Sequence, residues 1–316
     1  MTIKETVEAF IQVRKSIGRK DQIAAYSLRR FAKFMGESSE ITSITESDCS
    51  AFLYRNGDVI TRYWHSQHCI LKKFFEWAFS RGLIRSIPVP VFLPKVPEYY
   101  PAYIYTNDEL KRLFDGALTY LKRDPQVNEP LCIRYILMLT YMLGLRINET
   151  LSLKINDIYT QEMYVHIHCS KFYKSRLVTY NEQVSELIQK ILQWRQTKKF
   201  PMTRESNLFI NLKGEPVNFV SLHKIFVEIR KNAGLYYPDR GRHQPRIHDL
   251  RHTFAVNVLT NWYRSGKNVQ DLLPKLSTYL GHLKVSFTSA YLTKTPTLLQ
   301  EANKLFYVYK NNKNEE

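Results

Sequence analysis

The residues able to do chemistry crowd into the last third of the chain. "RIHDLRHTFA", Arg246 to Ala255, sets His248 and Arg251 at i and i+3. On a helix both project from one face and reach a single phosphodiester together. Arginine offers a planar fork matched to two non-bridging oxygens, and histidine moves a proton near neutrality. "YLGHLKVSFTSAYL", Tyr279 to Leu292, then supplies His282 behind a glycine and Tyr291 nine positions later. Cations that grip a phosphate, imidazoles that exchange protons and a phenol that can attack form a set suited to nucleophilic phosphoryl transfer. Taken singly each has an ordinary reading: Tyr291 is one of 21 tyrosines, and most tyrosines are packing or surface aromatics. His248-Asp249 would also suit a metal-dependent phosphohydrolase, but the further His and Asp ligands such a site needs are not at suitable positions, so no metal and no other cofactor is expected. His166, His168 and His252 are read as structural.

The elements that must hold this set belong to a chain of 316 residues, long enough for two domains, with 44% hydrophobic residues to fill their interiors. A formal charge of +17 favours a polyanionic partner, nucleic acid before membrane. Residues 1–100 carry fifteen Lys and Arg against ten Asp and Glu, and the remainder thirty-one against nineteen, so both parts are able to touch DNA. No apolar run approaches a membrane span or a signal peptide, which predicts a cytoplasmic, nucleoid-associated protein. Cys49, Cys69, Cys132 and Cys169 have neither zinc nor disulfide spacing and read as reduced.

Apolar positions at helical spacing predict helices over 3–18 and 21–36, the second using Ile23, Tyr26, Leu28, Phe31 and Phe34. A short helix follows from the capping pattern at Thr45 and Asp48 to Tyr54, and a fourth runs from about Val59 to Gly82. These make a helical domain, residues 1–85. Residues 86–104 read as an extended linker, because Ser86 to Tyr103 holds five prolines and no helical period. The second domain, 105–316, opens on a helix capped by Thr106 or Asn107. A helix from Pro130 to Leu143 leads through Gly144 into a short one. "MYVHIHC" and "RLVTY" predict two strands joined by the turn "SKFYKS". Helices return at 182–197, at 222–234 and from Leu298 to Tyr309.

With these motifs in order, the sequence resembles the tyrosine recombinases, the family of phage integrases and Xer-type recombinases. "YMLGLRINETLSL" resembles the first arginine box, with Arg146 and, one turn later, Glu149; "HDLRHTFA" resembles the second, "LGH" the third, and Tyr291 stands at the nucleophile position. "LKKFFEWAFSRGLI" resembles part of the core-binding domain. The resemblance spans nearly the whole chain. It implies a mainly α fold with a small antiparallel β-sheet, arranged as a two-domain C-shaped DNA clamp.

By that resemblance Tyr291 attacks the scissile phosphate to give a 3′-phosphotyrosine and a free 5′-hydroxyl. Arg146 and Arg251 hold the non-bridging oxygens, His248 acts on the tyrosine's proton, His282 hydrogen-bonds the phosphoryl group, and Glu149 orients the arginine box. A hairpin lysine protonates the leaving oxygen. Lys171 matches it, but Ser170 and Phe172 replace the family's flanking glycines and Thr179 its proline, so Lys174 stays open as a substitute. Lys174, Arg176, Arg242 and Arg246 are the expected DNA contacts. The partners implied are double-stranded DNA and a homo- or hetero-tetramer on paired sites, with the last helix packing in trans or on its own domain. The short stretch before the first helix favours a simple recombinase over one with an extra arm-binding domain. The same chemistry would serve a type IB topoisomerase or a telomere resolvase, and a silent DNA-binding architectural factor is the reading from another class.

Overall fold

The computed structural model describes residues 1–19, 21–96, 101–120, 128–168, 175–241, 243–292 and 298–304. The chain divides into two compact units, Met1–Tyr99 and Tyr100–Glu316.

The first unit is four helices, α1 (Ile3–Ser16), α2 (Gln22–Met35), α3 (Glu46–Tyr54) and α4 (Arg62–Ser80). Their starts are written locally. Thr2 with Glu5, and Thr45 with Asp48, each exchange side-chain and backbone hydrogen bonds across the first turn, satisfying donors that a helix N-terminus leaves unpaired. The core joins Phe10, Leu28, Phe31, Phe52, Phe74 and Phe75, with Phe31 meeting Phe52 edge-on at 5.0 Å. Ile23, Tyr26 and Phe34 are not part of it: α2 turns Ser27, Leu28, Phe31 and Ala32 inward and leaves those three at 75%, 64% and 48% exposure. The start of the proline-rich stretch packs on the first core. Ile84 and Val89 join the first core, and the carbonyl of Pro90 lies 2.7 Å from Nε2 of His68.

In the second unit, Tyr105 opens the large core. Thr106 is the residue that caps α5 (Asn107–Thr119), reciprocated by Glu109. Then come α6 (Pro130–Met142) and α7 (Ile147–Ser152), and a three-stranded antiparallel sheet of β1 (Ile158–Tyr159), β2 (Tyr164–Ile167) and β3 (Arg176–Thr179) in that order. Val165 pairs with Val178 and Ile167 with Arg176. β1 is too short for its two residues to show an alternating pattern. The helices α8 (Glu182–Thr197), α9 (Phe219–Asn232), α10 (Ile247–Arg264), α11 (Val269–Leu280) and the single turn α12 (Ser286–Ser289) complete the described elements. α11 carries Pro274 inside it, which hides it from a search for unbroken helical pattern. A separate small core under α10 and α11 takes in Ala255, Leu259, Leu276, Leu280, Tyr291 and Leu298. Residues 298–304 are helical, and Leu298 is buried against its own chain; the rest of the expected last helix lies outside the described residues. No helix among the described residues is long and apolar enough to cross a membrane, and Cys49, Cys69 and Cys132 are unpaired.

Candidate active site

Two glycines let the site close. Gly144 ends α6 at φ +59°, and a Cβ there would stand 2.3 Å from the ring of Phe254 on α10. Without a side chain at 144, α10 approaches and the Gly144 carbonyl accepts Nη1 of Arg251 at 2.9 Å. Gly281 ends α11 in the left-handed region, at φ +67°, and a Cβ there would lie 3.0 to 3.2 Å from side-chain atoms of Arg176.

The last carbonyls of a helix have no partner within it and mark the negative end of its dipole. At the C-terminus of α11 three consecutive carbonyls each accept a different arginine. Tyr279 accepts Nε of Arg176 at 2.8 Å, Leu280 accepts Nη2 of Arg251, and Gly281 accepts Nη2 of Arg146 at 3.0 Å. Glu149 ties the same three from the other side. It takes both terminal nitrogens of Arg176, at 3.0 and 2.8 Å, and Nη1 of Arg146 at 2.8 Å, with Nη1 of Arg251 at 3.9 Å. Glu149 also accepts the backbone N–H of Arg146 at 3.0 Å, so it starts α7 as well as pairing the arginines. Burial would raise its pKa, but hydrogen bonds and charge from Arg176, with help from Arg146, outweigh that and hold it at about 2. Arg251 is 1% exposed, and its pKa falls to about 10 through burial and the neighbouring Arg146. Arg146 keeps 24% of its side chain exposed.

Arg176 therefore needs correction as a DNA contact. Its side chain is 8% exposed, and its guanidinium is taken up by Glu149 and the α11 terminus, clamping β3 to the arginine cluster. Arg246 lies at the start of α10, half exposed, and chelates the buried Asp249 through Nε and Nη2 at 3.2 and 2.9 Å. Lys171, Lys174, Arg242 and Cys169 lie outside the described residues. α10 is held from the chain entering the unit: Thr253 accepts the backbone N–H of Tyr105 at 3.0 Å, and the Tyr105 hydroxyl donates to the Arg246 carbonyl at 3.2 Å.

The histidines sit beside this cluster. His282 lies within 2.8 Å of the Thr288 hydroxyl through Nδ1. Burial, then Arg251, Arg146 and Arg176, bring its pKa to about 4. His248, with its outer side exposed, is lowered to about 4 by the protein packed around it, then by His252 and Arg251. Both imidazoles are therefore neutral at neutral pH. Tyr291 is 4% exposed, its ring in the small core. Its hydroxyl shares a hydrogen bond of 2.9 Å with Nδ1 of His252. His252, read from the sequence as structural, thus makes the contact with Tyr291 that was expected of His248. The ring of His248 instead meets that of His252 edge-on at 4.7 Å. The available signal was spacing: His252 is four residues after His248, on the same helical face. His168 pairs with buried Asp157 at 2.8 Å, away from this cluster's hydrogen bonds.

Residues 104–297 match the phage integrase family. The chain is similar to a Sinorhizobium fredii protein, y4rB, described as an integrase/recombinase, at 29% identity covering 95% of this chain and 96% of that one. It is similar to tyrosine recombinase XerD of Listeria monocytogenes, at 25% identity over 90% of this chain and 92% of that one. Among solved structures, a lambda integrase tetramer bound to a Holliday junction shares the fold, with a TM-score of 0.65 at 15% identity over 92% of this chain and 77% of the other. The chain belongs to the phage integrase family, and its activity is that of a tyrosine-type site-specific DNA recombinase.

Proposed function

We propose that Tyr291 is the nucleophile of this recombinase, and that it cleaves a DNA strand through a 3′-phosphotyrosine intermediate. The observation that carries the reading is convergence: Arg146, Arg251 and His282 gather at the end of α11, and the Tyr291 ring stacks at 6.2 Å from that of His282. Arg146, the exposed member of the cluster, takes a non-bridging oxygen directly. Arg251, almost wholly buried, adds its charge from behind and fixes the backbone around the pocket. His282 hydrogen-bonds the phosphoryl oxygens, and His248, on the exposed side, exchanges protons there. A lysine of the β2–β3 hairpin, Lys171 or Lys174, supplies the proton to the leaving 5′ oxygen, which later attacks the partner strand. Energy of the broken phosphodiester is kept in the phosphotyrosine, so the cycle has no need of ATP or a metal.

Residues 1–85 act as a core-binding domain on double-stranded DNA, joined through 86–104 to the catalytic domain. Four protomers assemble on paired sites in the cytoplasm. The net charge of +17 supports phosphate contacts from both domains, and affinity for DNA should fall steeply as salt rises. The test is recovery of covalent protein–DNA adducts from host cells expressing wild type or Tyr291→Phe, followed by sequencing of the attached DNA. Adducts from wild type alone, gathered at one sequence, are expected. Adducts from Tyr291→Phe would sink the assignment, and adducts spread over all sequences would indicate a topoisomerase.

A further inference from the structure

The hydroxyl of Tyr291 has to arrive at the phosphate in line, and its ring already lies in a buried seat. It belongs to the same buried cluster as Ala255, Leu259 and Leu280, and the rings of His252 and His282 stand 5.4 and 6.2 Å away. Packing of this kind confines the ring but still lets it swing about its side-chain torsions, and the phenol oxygen at its far end moves most. Nδ1 of His252, 2.9 Å from the oxygen, tethers that far end. His252 is itself well anchored: it follows Arg251, whose guanidinium is held by the carbonyls of Gly144 and Leu280. One helix, α10, therefore sets both the charge behind the phosphate and the oxygen that attacks it.

We propose that His252 is a positioning residue that seats the nucleophile of its own protomer, holding the Tyr291 hydroxyl in register with the arginine cluster. The inference rests on Tyr291 being the nucleophile. It assigns to His252 the placement of the oxygen, while phosphate contacts belong to Arg146 and His282. Loss of the seat leaves the arginines in place and lets the hydroxyl wander by about an ångström, an error that costs roughly 10²-fold in rate.

Asparagine can put an amide oxygen or nitrogen where Nδ1 stands, whereas glutamine reaches the position of Nε2. The full chain, as His252→Ala, His252→Asn, His252→Gln and Tyr291→Phe variants, would be given the duplex sequenced from wild-type adducts. Sulfur replaces the bridging 5′ oxygen, so that cleavage needs no leaving-group proton. In single turnover, His252→Ala and His252→Gln should slow by about 10²-fold, and His252→Asn should recover to within about tenfold of wild type. With 3-fluorotyrosine at position 291, the fluorine resonance of the DNA-free chain should move in His252→Ala and return toward the wild-type position in His252→Asn. Wild-type cleavage by His252→Ala, or an asparagine variant as slow as glutamine, would overturn the proposal. If the alanine variant fails to fold, the asparagine–glutamine pair still decides. Adduct formation by Tyr291→Phe would remove the nucleophile assignment and this inference together; an inert Tyr291→Phe beside a fully active His252→Ala would remove this inference alone.

Discussion

The two halves of the site are held in different ways. On one side Arg146, Arg176 and Arg251 share one carboxylate, Glu149, and three carbonyls of one helix end. On the other, His282 is tied through the Thr288 hydroxyl and Tyr291 through His252. Buried cations have to be fixed, because a guanidinium taken from water without partners costs several kcal/mol, about what an isolated buried ion carries. A nucleophile, the role proposed for Tyr291, must be able to leave its partner, so a hydrogen bond of modest strength suits it better than an ion pair. The arginine half is held by ion pairs to one carboxylate and by carbonyls, and the histidine half by side-chain hydrogen bonds.

The largest effect should come from breaking the arginine half. Glu149→Ala leaves three buried or half-buried arginines facing one another; chemical denaturation should show a loss of about 3–5 kcal/mol, together with loss of adducts. Gly144→Ala comes next. A left-handed residue gains a side chain that runs into Phe254, and the melting transition should report roughly 2–4 kcal/mol. Acid should loosen the two halves in sequence. His248 and His282 have folded pKa values near 4, below the ordinary 6.5, so from pH 6.5 down to about 4 the unfolded chain binds more protons and stability falls. Glu149 adds its loss from 4.5 down to about 2. Melting temperatures of the DNA-free chain across that range should fall in both windows, and a curve flat between pH 6.5 and 5 would contradict the histidine environments. The smallest change belongs to Tyr291→Phe: all adducts should vanish, yet losing the hydrogen bond to His252 should cost only about 0.5–1.5 kcal/mol in the same denaturation.

Much of this was legible before the fold. Thr45, Thr106 and Asp48 announce helix starts because caps act within four residues, and the alternation in "MYVHIHC" and "RLVTY" gives β2 and β3 for a similar local reason. Ile23, Tyr26 and Phe34 fit the helical spacing yet stay exposed, because spacing alone does not say which face meets the neighbours. Arg176 misled for a different cause. An arginine after a basic turn looks like a phosphate contact, and only the approach of α11 turns it inward.

The sequence by itself determined which groups are present and which lie on a common helical face: the boxes around Arg146, His248 and Arg251, the Gly-His pair at 281 and 282, and Tyr291 at its fixed distance. Local rules of spacing and capping suffice for that. The tertiary structure alone decided that three arginines meet at the C-terminus of α11, that Glu149 binds them all, and that His252 holds Tyr291. Arg146 and Gly281 are 135 residues apart, and Arg251 and Gly144 are 107 apart. Contacts over such distances depend on how closely helices pack, which Gly144 and Gly281 permit but no local pattern records.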